Sequence, residues 1–259
     1  MTRFVAFEDA ESQRVSAPTY SFDSHVFFGS RQYSGPGPQI YMNNVDPGVM
    51  LSAHFHRIDQ FQVFFGNDGA VFQRKPIPSV FVHYADAFRT YGPFSAAPDA
   101  PLLYATIRAH SDNYGGVMPG ARSERPYLGR RHLSAGVDGW DAGSRPGAEA
   151  SRTVEIFRPA ADGLAAYLVQ LGAGAAWNAP DARATSGRAL CVVDGELRVN
   201  EMSYGPRSIG WQARTEPAPD VRAGAGGCAL LMLDFPWPAS ADHQANDRPR
   251  STGSTIPVT

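Results

Sequence analysis

Short apolar, β-prone runs separated by turn-forming residues dominate the sequence and narrow the folds open to it. Such runs extend from about Tyr20 to Ala109 and return from Ser151 to Pro236, with glycine, proline, asparagine and aspartate between them. Short strands with regularly spaced turn signals are typical of β-sandwiches and β-barrels. No segment carries a clear helical period. The sequence therefore predicts an all-β fold.

Two of the turn signals are specific. The runs QFQVFFG and AVFQRK flank Asn67 and Asp68, which predicts a β-hairpin. The run VVDGEL predicts a second turn at Asp194 and Gly195. The two strand-rich blocks are similar in length, and comparable stretches follow Gly66 and Gly195 before the last apolar strand of each block. We interpret the blocks as two fused copies of one β-unit.

The rest of the chain differs in composition from these blocks. Residues 1–19 are polar and lack a period, which predicts an N-terminal arm. Residues 111–150 are rich in glycine, arginine and proline, which predicts a linker that packs across a surface. Residues 237–259 are polar and predict a flexible tail. The predicted domains are therefore a β-unit over residues 20–110 and a second over residues 151–236.

Charge and hydropathy exclude several classes of partner. The chain carries 23 lysines and arginines against 25 aspartates and glutamates, for a net charge of −2. A nucleic-acid surface needs clustered positive charge, so nucleic-acid binding is not expected. No apolar run reaches the roughly eighteen residues of a membrane span, so no membrane association is expected. The N-terminus is acidic where a signal peptide would be apolar, and a cytoplasmic location is the default expectation.

One stretch, GVMLSAHFHRIDQFQVFFG over residues 48–66, carries the strongest sign of a functional site. His54 and His56 flank Phe55 in an otherwise apolar, β-prone run. Alternate residues of a strand point to the same face, so both imidazoles should leave one side of the sheet. Two converging imidazoles are how a rigid sheet presents half of a metal site.

The same stretch resembles the first motif of the cupin superfamily. That motif is a glycine, about five residues, His-x-His, about three residues, a glutamate, about six residues and a closing glycine. The matching residues are Gly48, His54, Phe55, His56, Gln60 and Gly66. Gln60 therefore stands where the motif has its glutamate. The resemblance covers residues 38–109 and is only architectural over residues 151–236.

The second cupin motif is eroded in this sequence. Its best candidate is the stretch over residues 82–94, where Tyr91 falls at the position of the motif's histidine. His83 lies nearby at the wrong spacing, and the second block has no His-x-His. The resemblance implies a two-barrel cupin, or bicupin, of antiparallel jelly rolls with one surviving site inside the first barrel.

The two departures from the cupin motifs leave several roles open. Gln60 offers a neutral carbonyl oxygen, a weaker metal ligand than a carboxylate, or an amide hydrogen for a substrate. Gln62 should share its strand face, and either amide could face the cavity. Tyr91 could bind iron as a phenolate, donate a hydrogen bond, act as a base beside a metal, or simply form part of the wall. His110 is the best further candidate for a fourth ligand.

The leading functional prediction is a metal-dependent enzyme. One divalent transition metal, Fe, Ni, Mn or Zn, would be held by His54, His56 and Gln60. Tyr91 and Gln60 are the predicted catalytic residues. An oxidoreductase of the dioxygenase type, acting on an aromatic or enolic substrate, ranks first, and a metal-assisted lyase or isomerase ranks second.

The expected substrate is a small organic molecule in a partly aromatic cavity. The side chains expected to form that aromatic lining are Phe55, Phe61, Phe64, Phe65, Phe81 and Phe94. Two other functions stay open: a non-catalytic barrel that only binds small molecules, and a metal-free isomerase or epimerase. In the second case His54 or His56 would be the base and Tyr91 the acid. Family resemblance also implies a homodimer.

Overall fold

The structure is a computed structural model that describes residues 2–237. The predicted tail, residues 237–259, lies outside the described residues apart from Trp237. The part of the chain that is described consists of β-strands, three short 3₁₀ helices at Phe7–Asp9, Gly120–Glu124 and Ala142–Ser144, and connecting loops. The all-β prediction is confirmed. No helix within residues 2–237 is long and apolar enough to cross a membrane.

The strands, in chain order, are β1 (Arg3–Val5), β2 (Glu11–Ala17), β3 (Tyr20–Phe28), β4 (Gln39–Val45), β5 (Met50–Leu51), β6 (His54–Phe55), β7 (Gln60–Phe65), β8 (Val71–Phe72), β9 (Lys75–Pro76), β10 (Phe81–Ala85), β11 (Phe94–Ser95), β12 (Leu102–Arg108), β13 (Gly116–Val117), β14 (His132–Gly136), β15 (Ser151–Phe157), β16 (Ala165–Leu171), β17 (Ala176–Asn178), β18 (Thr185–Val199), β19 (Met202–Tyr204), β20 (Ile209–Ala213) and β21 (Asp220–Pro236).

The first barrel is built from one large antiparallel sheet and two small ones. The large sheet has the strand order β14-β10-β7-β12-β4-β3-β2. Across the barrel interior lie a four-stranded sheet, β5-β11-β8-β9, and the pair β13-β6. An apolar cluster that includes Phe64, Phe72 and Phe94 fills part of the interior. This cluster extends to Tyr91 and Tyr104, which also line the polar cavity that holds the candidate site.

The second unit is organised around two long strands. Its sheet has the order β1-β20-β18-β21-β16-β15, with β17 on β21 and β19 on β18. Its interior is packed with buried aliphatic side chains such as Val169, Leu190 and Leu230. These apolar side chains fill the interior of the second unit, so the cluster that they form contains no polar cavity like that of the first barrel.

Strand β7 ties the two units together through the alternation of its side chains. Gln60 and Gln62 face the interior of the first barrel, whereas Phe61 belongs to a core that the two large sheets share. The ring of Phe61 packs edge-on against Phe235 at 5.0 Å and nearly parallel to Phe157 at 6.4 Å, measured between ring centroids. The apolar side of β7 therefore holds the polar side in place.

The predicted hairpin around Asn67 and Asp68 is wrong. Strand β7 pairs with β10 and β12, whereas β8 pairs with β9 and β11 in the opposite sheet. Phe72 of β8 packs on Phe64 of β7 at 5.5 Å between centroids, across the interior. The turn forms where the sequence predicted it. It carries the chain from one sheet to the other, because Phe64 and Phe72 pack in the same core.

The predicted turn at Asp194 and Gly195 is also wrong. Strand β18 runs through both residues, and its register with β21 shifts between Val192 and Asp194 and again between Gly195 and Leu197. Gly195 has a φ of +78°. A left-handed glycine of this kind is how a β-bulge inserts an extra residue into a continuing strand.

The segments predicted as arm and linker contribute strands to the sheets. In the arm, β1 pairs with β20 and β2 pairs with β3. In the linker, β13 pairs with β6 and β14 pairs with β10. The sequence did not predict these strands, because short strands at the edge of a sheet need little apolar patterning. The division into domains at the stated boundaries stays a prediction.

Candidate functional site

A cavity of about 400 Å³ opens inside the first barrel. Side chains from β4, β7 and β12 form one wall, and the segments that carry the two histidines and residues 112–117 form the other. His54, His56, Tyr91 and Gln62 all line it. His54, His56 and Tyr91 are therefore brought together in one cavity, whereas Gln60 lies behind the lining, where its amide bonds the Tyr91 hydroxyl.

Tyr91 is fixed opposite His54 by the backbone. The amide of His54 donates to the carbonyl of Tyr91 at 3.1 Å, and the amide of Tyr91 donates to the carbonyl of His54 at 3.0 Å. The two ring centroids are 4.5 Å apart, and the centroids of His54 and His56 are 5.4 Å apart with perpendicular planes. The position that the eroded second motif gave to Tyr91 therefore lies directly beside the histidine pair.

Backbone carbonyls set the tautomers of both imidazoles. Nδ1 of His54 lies 2.7 Å from the carbonyl oxygen of Ser52, and Nδ1 of His56 bonds the carbonyl oxygen of Tyr114. A carbonyl oxygen only accepts hydrogen bonds, so each Nδ1 must carry the proton. In a neutral ring, Nε2 then presents a lone pair.

Burial keeps these rings neutral. Burial is the main cause that lowers the pKa of His54, and it lowers the pKa of His56 further, well below the ordinary value. The positive charge of Arg108 adds to the decrease in both pKa values. At neutral pH both imidazoles are therefore unprotonated at Nε2.

A directional chain of hydrogen bonds connects Arg108 to His54. Nε and Nη2 of Arg108 donate to Oε1 of Gln60 at 3.0 and 2.9 Å. A guanidinium has no acceptor, so this contact fixes the orientation of the Gln60 amide. Nε2 of Gln60 then donates to the Tyr91 hydroxyl at 2.7 Å, and that hydroxyl donates to Nε2 of His54 at 2.7 Å.

The proton between Tyr91 and His54 belongs to the tyrosine. Burial raises the pKa of Tyr91 well above its ordinary value, although Arg108 and the Gln60 amide act in the opposite direction. Because the pKa of His54 is lowered, the resting pair is a neutral phenol and a neutral imidazole.

Arg108 is the residue that sequence reasoning missed. Its side chain, 1 % exposed, also donates from Nη1 to Oε1 of Gln39 at 2.6 Å and to the carbonyl of Asp112 at 2.7 Å. Within residues 2–237 it forms no ion pair with a carboxylate. The available signal was a lone arginine in the apolar run PLLYATIRA, at alternating spacing from Tyr104 and Thr106.

Other predicted site residues lie elsewhere or have different surroundings. Gln62 lines the cavity, and its Oε1 has no hydrogen-bond partner in the described chain. His83 is buried behind the cavity lining, where Nδ1 contacts Oγ of Ser134 at 3.0 Å. His110 is exposed and does not reach the cavity.

The prediction of which aromatic residues line the cavity is wrong. None of Phe55, Phe61, Phe64, Phe65, Phe81 and Phe94 lines the cavity. Phe64 and Phe94 pack behind the lining, with ring centroids 5.2 and 5.0 Å from that of Tyr104, and Phe61 faces the second unit. Tyrosines take their place because a polar cavity favours rings that carry a hydroxyl, and the lining includes Tyr41, Tyr91, Tyr104 and Tyr114.

The donor set fits the predicted metal ion only in part. Both Nε2 lone pairs have the Nδ1 anchoring that metal-binding histidines require. However, Oε1 of Gln60 is held by Arg108, and the Tyr91 hydroxyl occupies Nε2 of His54. Residues 2–237 contain no group of three or more histidine, cysteine, aspartate or glutamate side chains that could hold a metal. Among the described residues, no third histidine, cysteine, aspartate or glutamate joins the imidazole pair.

Sequence comparison gives no relatives, whereas structural comparison gives many. No family model matches the chain, and a search of curated proteins finds no match. The pirin YhhW of Escherichia coli is 13% identical, covers 92% of this chain and 99% of its own, and has a TM-score of 0.57. It has also been solved in complex with nickel(II).

Two further similar structures belong to proteins with oxygenase names. A candidate dioxygenase from Nostoc punctiforme is 8% identical, with 93% and 85% of the two chains covered and a TM-score of 0.60. A salicylate 1,2-dioxygenase from Pseudaminobacter salicylatoxidans is 11% identical, with 86% and 75% covered and a TM-score of 0.53. The chain has the cupin fold. The two antiparallel units are cupin jelly-roll barrels, as the motif resemblance implied.

We predict that His83 makes stability depend on pH. Burial lowers its folded pKa to about 3, against about 6.5 in an unfolded chain. Below pH 6.5 the unfolded state therefore binds more protons, and the free energy of unfolding falls as pH falls. Urea unfolding between pH 6 and 4 should give a slope about 1.4 kcal/mol per pH unit steeper for the wild type than for His83→Gln. Equal slopes would contradict the assignment.

Proposed function

We propose that the first barrel is the active site of an enzyme that moves a proton on a small organic molecule. The observation that supports this most is the directional hydrogen-bond chain from Arg108 through Gln60 and Tyr91 to His54. It holds a protonated phenol beside neutral imidazoles, so a proton donor and proton acceptors face the same cavity. We therefore rank metal-free acid–base chemistry above the dioxygenase, which was the first-ranked prediction from the sequence.

His56 is the proposed general base. Its Nδ1 donates to the carbonyl of Tyr114, and within the described chain its Nε2 has no hydrogen-bond partner. The residue lines the cavity, so this lone pair is available to a bound molecule. The lowered pKa of His56 keeps the lone pair free at neutral pH.

Tyr91 is the proposed general acid, and Gln60 and Arg108 are positioning residues. When the phenol gives up its proton, the Gln60 amide still donates its hydrogen bond to the phenolate oxygen. The charge of Arg108 and this hydrogen bond both act to lower the pKa of Tyr91. The fixed amide and guanidinium therefore stabilise the charge that develops on the acid during the reaction.

A substrate with an acidic C–H bond beside a carbonyl fits these roles. His56 takes the proton as the C–H bond breaks, and its electron pair forms a carbon–carbon double bond. The carbonyl π electrons move to the oxygen, which takes the proton of Tyr91 once that hydroxyl has turned from Nε2 of His54 to the substrate. The enol then returns its hydroxyl proton to the Tyr91 phenolate as the carbonyl forms again. In an isomerisation the displaced electron pair takes the proton of His56 at a carbon conjugated with the enol. In a lyase reaction that electron pair expels a group from the β-carbon, and the group leaves with the proton of His56. Neither outcome needs an oxidant.

The Tyr91→Phe variant tests this proposal. Small carbonyl compounds with acidic C–H bonds, such as acetylacetone and 2-oxobutyrate, are incubated with the enzyme in D₂O. Exchange of the C–H protons is followed by ¹H NMR. Loss of the acid should reduce enzyme-dependent exchange by about 10²–10⁴-fold.

Tyr84→Phe is the matched control, because Tyr84 is an equally buried tyrosine that does not line the cavity. Its hydroxyl donates to Asp59 and Asp86 instead. Wild-type exchange in Tyr91→Phe would contradict the acid role. Binding of these compounds without any exchange by the wild type would favour the non-catalytic binding barrel.

A metal-dependent oxygenase is the second candidate function, and the imidazole pair supports it. The Nδ1 atoms of His54 and His56 are both anchored, so their Nε2 atoms could hold Fe, Ni, Mn or Zn. A bound metal would supply Lewis-acid or dioxygen chemistry. For His54 to bind it, the Tyr91 hydroxyl would have to leave Nε2, because that atom has one lone pair.

Metal removal separates the two candidates. Acid–base chemistry predicts that proton exchange survives dialysis against EDTA with an unchanged rate. The oxygenase predicts about one equivalent of metal in protein purified without added metal, and its loss in His54→Ala and His56→Ala. Elemental analysis together with the exchange rate is the measurement. Exchange that disappears with EDTA and returns with one metal would contradict the metal-free proposal.

A further inference from the structure

The cavity lining carries a net positive charge. Its ionisable side chains with fixed charge are Arg31, Arg108 and Asp112. The carboxylate of Asp112 accepts hydrogen bonds from the backbone amides of Arg57 and Tyr114 at 3.2 and 3.3 Å. Neither lining arginine forms an ion pair with a carboxylate in the part of the chain that the structure describes. Arg108 is buried and Arg31 is half-buried. Because a charge removed from water is costly without a partner of opposite charge, the cavity favours a bound anion.

The two arginines differ in how their donors are used. Four of the five N–H groups of Arg108 donate hydrogen bonds to Gln60, Gln39 and the Asp112 carbonyl. It therefore orients the protein's own groups and has little left for a ligand.

Arg31 has the opposite arrangement. Only its Nη1 forms hydrogen bonds, at 3.3 Å to Oγ of Ser24 and at 3.3 Å to Oδ1 of Asn43. Its guanidinium stacks on the ring of Tyr41 at 4.1 Å, which holds the plane of the group. Nε and Nη2 have no hydrogen-bond partner within residues 2–237. These two nitrogens form the fork that binds a carboxylate through two parallel hydrogen bonds.

We infer that the substrate is a small organic acid whose carboxylate binds the Nε–Nη2 fork of Arg31, an assignment that rests on the proposed acid–base function. A monocarboxylate matches the lining of two arginines against one aspartate better than a phosphate dianion does. Gln62 supplies a second contact. Its side chain is 1 % exposed and its Oε1 has no hydrogen-bond partner among residues 2–237, so a hydroxyl or amide hydrogen on the substrate would satisfy it.

Binding of matched carboxylate and amide probes tests the inference. The pairs are benzoate with benzamide, lactate with lactamide, and pyruvate with pyruvamide, and inorganic phosphate is included. Isothermal titration calorimetry should give at least one carboxylate a dissociation constant at least about tenfold lower than that of its amide. Raising the salt concentration should reduce this preference.

Variants of Arg31 locate the effect. Arg31→Gln should remove the preference for the carboxylate, and Arg31→Lys should keep part of it, because lysine keeps the charge and loses the fork. Arg158→Gln is the matched control, since Arg158 is an exposed arginine outside the cavity. Urea unfolding without ligand checks that each variant is folded.

Several outcomes would overturn the inference: no carboxylate binding, equal binding of amides, tighter binding of phosphate, or an unchanged preference in Arg31→Gln. Failure here is distinguishable from failure of the proposed function. Proton exchange on neutral carbonyl compounds without carboxylate binding would leave the acid–base site and reject the substrate class. Arg31-dependent carboxylate binding without any exchange would reject the catalytic proposal and leave the ligand class.

Discussion

The buried charge of Arg108 is the constraint on which the rest of the site depends. A guanidinium without a carboxylate partner is stable in an interior only if its N–H groups find acceptors. Here the acceptors are the Gln60 and Gln39 side chains and a backbone carbonyl. Because arginine can only donate, its position fixes the Gln60 amide, and the amide fixes the hydrogen of Tyr91. The buried cation thereby sets the direction of every hydrogen bond in the chain from Arg108 to His54.

Glutamine, rather than the motif's glutamate, is what makes this chain possible. An ionised carboxylate at position 60 could accept from Arg108 but could not donate to Tyr91. The amide does both, at 2.9 and 2.7 Å. The fold supplies the rigidity, since the opposite face of β7 is anchored by Phe61 in the core shared by the two barrels. Departure from the cupin motif thus changes the chemistry of the site while leaving the barrel intact.

The sequence predicted the elements that depend on local patterning. Alternating strands and turn residues predicted an all-β chain, and the motif spacing brought His54, His56 and Tyr91 to one cavity. What it missed depends on long-range packing. The turn at Asn67 was placed correctly, but which strands pair across it is decided by where Phe64 and Phe72 meet. The role of Arg108 could not be predicted, because it arises only when β12 lies beside β7. The phenylalanines were wrongly predicted to line the cavity, because the two faces of the strands divide them between separate apolar cores.

The central claim is that both site histidines are neutral rings whose Nδ1 proton is held by a backbone carbonyl, so that Nε2 of His54 accepts the hydrogen of Tyr91. Histidine side-chain ¹⁵N NMR on the wild type at pH 7 measures this directly, with His54→Gln and His56→Gln used to assign the signals. The expected result is a protonated Nδ1 and an unprotonated Nε2 in both rings. A proton on Nε2 of either ring, or a doubly protonated imidazolium, would contradict the account.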